Sequence, residues 1–229
     1  GRVRGVAAAL GAALAVAPGV AAACALELIL ALDVSGSIDE GEYRLQRAGL
    51  ADALRAPEVV RAVEGLEGGI LLTLTQWSGI GRHHQTTGWH HADGAEGLAR
   101  FAEVVDRTPR RWRNFSTAIG EALIHAEAVS ATAPRRCARR VIDVSGDGVS
   151  NEGRPPRAIA DRLARQGYTI NGLAIRGAEP DPLAHFHAEV IAGPGAFVEA
   201  AEGFAAYPRA IRRKLLREIA PPLILSGGD

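Results

Sequence analysis

The stretch ALELILALDVSGSID, residues 25–39, constrains the fold more than any other part of the chain. Residues 25–32 are apolar apart from Glu27, and the run stops at Asp33, Ser35 and Ser37, three oxygen-bearing side chains at alternate positions. A short, near-continuous apolar run is the mark of a strand buried on both faces, which in soluble domains means a parallel sheet covered by helices. In such sheets ligands gather beyond the carboxyl ends of the strands. The oxygens therefore fall where a binding site is expected.

The rest of the chain repeats the theme. Tyr43, Leu45, Leu50 and Leu54 follow at helical spacing, and Asp39 with Glu42 resembles a capping box. Segments 68–77, 139–145, 168–175 and 195–200 read as further strands, and 83–89 as a short polar edge strand or turn. Helices are expected at 92–107, 116–130, 156–166, 182–191 and 203–219. This alternation predicts an α/β fold, a doubly wound and mostly parallel sheet flanked by helices with one short antiparallel edge strand.

Residues 1–23 open with Arg2 and Arg4, run apolar from Val6 to Ala17, break at Pro18-Gly19 and continue in small residues. That layout predicts a signal peptide cleaved after Ala23, with cleavage after Ala25 as the alternative, and hence a secreted or periplasmic domain with no membrane span left. The domain is expected over 24–220. The tail 221–229 opens with two prolines and is expected to be poorly ordered. Among 229 residues, 26 basic and 26 acidic side chains balance, so nothing points to nucleic acid as a partner. Lys214 is the only lysine.

Asp147, in IDVSGDG, follows the strand at 139–145. If that strand neighbours the first, Asp33 and Asp147 meet at one sheet edge, with the Ser35 and Ser37 hydroxyls beside them. Hard oxygen donors without thiolate or imidazole suit Mg²⁺ first, with Mn²⁺ or Ca²⁺ as alternatives, and argue against zinc. Two carboxylates do not enclose such an ion, so a coordination position is left for a ligand's acidic group.

DVSGS after an apolar strand resembles the D-x-S-x-S motif of von Willebrand factor A (vWA) domains, whose metal-ion-dependent adhesion site takes a threonine and a second aspartate from later loops. STAIGEAL is similar to the family's T-x-x-x-x-A-L segment and supplies Thr117. VSGDG is similar to its T-D-G turn and supplies Asp147, with Ser145-Gly146 in place of the usual apolar-Thr pair. The resemblance covers about residues 26–219. It implies that Ser35, Ser37 and Thr117 touch the metal directly and that Asp33 and Asp147 act mostly through water. It implies too a protein partner presenting a carboxylate. DVSGSID, RRVIDVSGDG, INGLAI and GPGAFV resemble, more narrowly, a group of secreted bacterial proteins known only as a domain of unknown function.

Cys24 lies nine residues before Asp33 and Cys137 ten before Asp147, so parallel neighbouring strands would bring both thiols to the end of the sheet opposite the metal. A disulfide is expected in an oxidising compartment. An acylated Cys24, or a discarded Cys24 with Cys137 free, are the alternatives. His83, His84, His90 and His91, and likewise His185 and His187, lack metal spacing and read as solvated. Arg111, Trp112 and Arg113, just before Thr117, read either as a basic aromatic rim for an acidic ligand or as a solvated run over a packed tryptophan.

A phosphoryl-transfer enzyme would expect an acid at Ser35 and a lysine nearby, and a serine hydrolase would expect a G-x-S-x-G elbow at Ser145. The sequence favours a metal-dependent binding module. A hydrolase or phosphatase, or a structural domain with a vestigial site, are the rival readings.

Overall fold

The computed structural model describes residues 24–220. The expected signal peptide at 1–23 and tail at 221–229 lie outside the described residues. In chain order the elements are β1 (Cys24–Asp33), α1 (Glu40–Arg55), α2 (Pro57–Glu64), β2 (Ile70–Trp77), β3 (His83–Gln85), β4 (His90–Ala92), α3 (Ala95–Asp106) and α4 (Ile119–Ser130). Then come β5 (Cys137–Gly146), α5 (Pro156–Arg165), β6 (Tyr168–Arg176), α6 (Pro182–His185), β7 (Val198–Glu202) and α7 (Tyr207–Ile219).

The sheet order is β3-β2-β1-β5-β6-β7, with β4 also on β2. β1, β2, β5, β6 and β7 run parallel, as the apolar runs predict. β1 sits in the centre and shows why its sequence is almost wholly apolar. Leu26, Leu28, Leu30 and Leu32 face the layer built with α1, α2, α3 and α7, whereas Ile29 and Ala31 face α4, α5 and the chain around Phe186. The winding reverses between β1 and β5, which places the switch point at their carboxyl ends.

The antiparallel edge is more broken than the sequence suggests. β3 and β4 both pair with β2, but four residues, 86–89, bulge out opposite Thr73 and Leu74. The Thr87 hydroxyl fills the gap by accepting from the Leu74 N–H at 2.9 Å. The helix expected at 182–191 is a single α-turn followed by a π-helical turn over Phe186–Val190. The Phe186 ring lies over Gly172, where a Cβ would meet it at 2.5 Å. α2 is an addition to the expected helices. Pro57 opens it from the first turn, where its missing N–H costs nothing. The capping box on α1 forms as expected, with Asp39 and Glu42 each accepting the other's backbone N–H at 2.8 Å.

Cys24 and Cys137 are register partners on β1 and β5 and are joined as a disulfide. The expected pairing is present, and among the described residues no cysteine is free. No helix among the described residues is long and apolar enough to cross a membrane.

The edge histidines are less solvated than expected. His91 bonds the Gly68 carbonyl at 2.8 Å, His90 the Gly88 carbonyl at 3.0 Å, and the His83 ring stacks on His125 of α4 at 4.6 Å. Burial, and then the nearby His83 and His84, push the His125 imidazole down to about 4. Its unfolded value is about 6.5, so between these pH values the unfolded chain binds the extra proton. Stability is expected to fall as the pH drops from about 6.5 towards 4. His125→Gln should flatten that limb of the urea-midpoint profile, and an unchanged profile would refute the assignment.

Candidate metal centre

Leu32 pairs in register with Ser145, so Asp33 and Asp147 leave the sheet side by side at the switch point. The turn after β1 is held tightly. Asp33 Oδ1 accepts the Ser35 N–H at 2.7 Å, and the Arg110 guanidinium donates to the Ser35 carbonyl at 2.8 Å and the Val34 carbonyl at 3.3 Å. Gly36 donates to the Phe115 carbonyl at 2.8 Å, and a Cβ there would lie 3.1 Å from Asn114 Cα. Asn114 itself has φ 60°, a left-handed conformation that asparagine tolerates better than most residues. Glycine in DVSGS thus lets the first loop touch the loop that carries Thr117.

The hydroxyls converge. Ser35 Oγ and Ser37 Oγ are 3.3 Å apart, and Ser37 Oγ donates to Asp147 Oδ1 at 2.7 Å. Thr117 precedes α4 by two residues, in the loop and not in the helix expected at 116–130. Asn151 fixes it there, its Oδ1 accepting the Thr117 N–H and its own N–H donating to the Thr117 carbonyl, both at 2.9 Å. A cavity of about 220 Å³ opens over this group, lined by Ser37, Thr117, Asp147, Gly148, Asn151 and Glu179 among others.

The electrostatics are unbalanced. Asp33 is fully buried, and its Oδ2 has no hydrogen-bond partner among the described residues. Gly146 leaves room for that oxygen, since a Cβ would stand 2.9 Å from it. Burial, then the Asp147 charge, push the Asp33 carboxyl up to about 8. Asp147 is raised as well, again chiefly by burial, with the Ser37 hydrogen bond opposing. Arg110 is spent on backbone carbonyls. Ser37, Thr117 and Asp147 line the cavity, and Ser35 and the buried Asp33 with its orphaned oxygen lie behind them, a donor set that fits a hard divalent cation. Among the described residues no three His, Cys, Asp or Glu side chains cluster to hold a metal. Any cation here must lean on hydroxyls.

Arg111, Trp112 and Arg113 do not line that cavity. Arg113 pairs with Glu40 at 2.9 Å, Arg111 lies 5.4 Å over the Trp112 ring, and Trp112 packs against the α1 side of the core. Arg110 is the member of the run that reaches the loop after β1. His185 accepts the Ser150 N–H at 3.1 Å in the loop after Asp147, a contact that sequence spacing does not reveal.

The match to known families extends over nearly the whole described region. A family model described as "Protein of unknown function (DUF1194)" matches residues 23–223. The chain belongs to the DUF1194 family. Comparison with curated protein sequences gave no match. Among solved structures, this DUF1194 chain is similar to proximal thread matrix protein 1 of the mussel byssus, a structure with a zinc-occupied MIDAS motif. The TM-score is 0.61 at 15% identity, covering 86% of this chain and 46% of that one. It is also similar to a von Willebrand factor type A protein from Catenulispora acidiphila, with TM-score 0.58, 20% identity, and 85% and 42% coverage. A third is the pilus adhesin SpaC from Lactobacillus rhamnosus GG, with TM-score 0.59, 14% identity, and 85% and 30% coverage. The DUF1194 chain spans less than half the length of each. These likenesses establish the vWA fold.

Proposed function

We propose that this protein is a secreted or periplasmic binding module that holds a divalent cation, Mg²⁺ first among candidates, and uses it to engage a carboxylate on a protein partner. The observation that carries the reading is the buried pair Asp33 and Asp147, with no side-chain base in contact, set behind a cavity that Asp147, Ser37 and Thr117 line. Ser35, Ser37 and Thr117 would hold the ion, with Asp33 and Asp147 balancing its charge largely through water. The cation would supply an electrophilic point for a carboxylate. Neutral hydroxyls leave its charge incompletely satisfied, which favours an anionic ligand. The fold's neighbours include an adhesin and a byssus matrix protein, in keeping with an interaction role.

The residues disfavour the enzymatic alternatives. Ser145 is buried and turns its hydroxyl towards Asp143 at 3.4 Å, and Lys214 is sequestered in the core by Asp143 and Glu218. Neither Ser145 nor Lys214 lines the cavity.

Titration calorimetry of Mg²⁺, Mn²⁺ and Ca²⁺ into chelator-stripped protein tests the proposal. One site is expected, weakened roughly tenfold or more in Thr117→Ala, the scale of losing one good contact of about 1.4 kcal/mol. Absence of heat with all three cations would overturn it. A pull-down from the source cell's envelope fraction, with and without chelator, then reads the partner.

A further inference from the structure

Basic side chains in this protein are arginines at 25 of 26 positions, the exception being Lys214. That lysine is fully buried on α7. Its Nζ lies 2.7 Å from Oδ1 of Asp143 on β5 and 2.6 Å from Oε1 of Glu218 one helical turn on. Asn171 Nδ2 donates to the same Glu218 oxygen at 2.9 Å, and Asn171 Oδ1 accepts the Phe197 N–H at 3.2 Å, which fixes the amide's orientation. The Phe197 ring is 5.8 Å from Nζ. Asp143 Oδ2, Glu218 Oε2 and the Tyr207 hydroxyl have no partners among the described residues.

An ion pair needs one acid for one amine. Here two buried acids share one amine, which raises the cost of keeping both ionised. Burial, then the Asp143 charge, push the Glu218 carboxyl well above the usual carboxylate range. The set is an amine, a carboxyl in contact with it, and a second carboxyl of raised pKa touching the same amine. Those are the parts needed to make an amide.

We propose that Lys214 Nζ and Asp143 Cγ condense into an intramolecular amide, with Glu218 as the acid–base group, fastening α7 covalently to β5. In the reacting state the Lys214 ammonium passes a proton to the Asp143 carboxylate, which it contacts directly. The Nζ lone pair attacks Cγ and the N–C bond forms. Glu218 takes the proton from nitrogen on one oxygen and gives its own from the other to the departing hydroxyl. The C–O bond breaks, one water leaves and Glu218 ends protonated as it began. No oxidant or nucleotide is consumed. Fixed proximity, with effective molarities on the order of 10⁵ M or more, offsets the unfavourable condensation in water. Glu218 and Asn171 also line a surface groove of about 710 Å³, an exit for the water.

The bond would close a second covalent loop on the strand that already carries the disulfide, and it would do so independently of any metal. Tryptic digestion of reduced, denatured full-length protein with tandem mass spectrometry tests it. The expected product is a branched peptide joining residues 141–157 to residues 214–217, lighter than the sum of the two by one water. Glu218→Gln keeps the size and the amide contact but cannot shuttle the proton, and it should return residues 141–157 as an unbranched peptide. Unlinked peptides in the wild type would overturn the proposal, as would a link from Lys214 to Glu218 in place of Asp143. The wild-type digest decides by itself if the variant does not fold.

Discussion

Replacing both Cys24 and Cys137 with alanine is expected to lower the unfolding free energy by about 3–5 kcal/mol, the chain-entropy value for a cross-link closing a loop of this length. The two cysteines are 113 residues apart in sequence, so the bond excludes a large share of the unfolded chain's conformations. In the folded state it ties the start of β1 to the start of β5, the two central strands, at the end of the sheet away from Asp33 and Asp147. The loss should therefore appear in the urea midpoint with metal affinity unchanged. A loss below about 1 kcal/mol would mean the unfolded chain is already compact around these strands, and the entropic account would fail. A parallel loss of metal affinity would mean that the β1–β5 register itself depends on the bond.

That register is legible in the sequence because two independent offsets agree: nine residues from Cys24 to Asp33 and ten from Cys137 to Asp147. β1 is equally plain, because burial on both faces removes the polar alternation that blurs other strands. The bulge at 86–89 is not, since it depends on the Thr87 side chain replacing a backbone group. For the metal loops, the residue types and order are legible while their supports are hidden. Arg110, Arg111 and Arg113 look alike in PRRWRN, and only the fold sends Arg110 under the loop and Arg113 to Glu40. The Lys214 cluster is the least legible. Nothing in RRKLLREI marks Lys214 and Glu218 as buried, since i,i+4 charge pairs on helices ordinarily lie on the surface. Asp143, the third member, is far away in sequence and comes into contact only when α7 lies against the sheet.

Asp33→Asn is expected to have opposite effects with and without cation, and this contrast separates a metal centre from a capped turn. In metal-free buffer the wild-type carboxyl is buried, has one unpartnered oxygen and stands beside Asp147, so a neutral amide of the same shape removes a cost. Asparagine keeps an oxygen for the Ser35 N–H and fits the space that Gly146 leaves. The metal-free variant should be more stable than the wild type by about 1–3 kcal/mol, the scale of removing a buried ionisable group that must take up a proton or stay unsatisfied. Cation at a hundredfold excess over its dissociation constant should then raise the wild type by about 2.7 kcal/mol and the variant hardly at all. Were Asp33 only a helix-entry residue bonded to the Ser35 N–H, the substitution would be close to neutral in both buffers and neither protein would respond to cation. A stabilised, cation-blind variant beside a cation-responsive wild type requires that the buried carboxyl be kept for an ion.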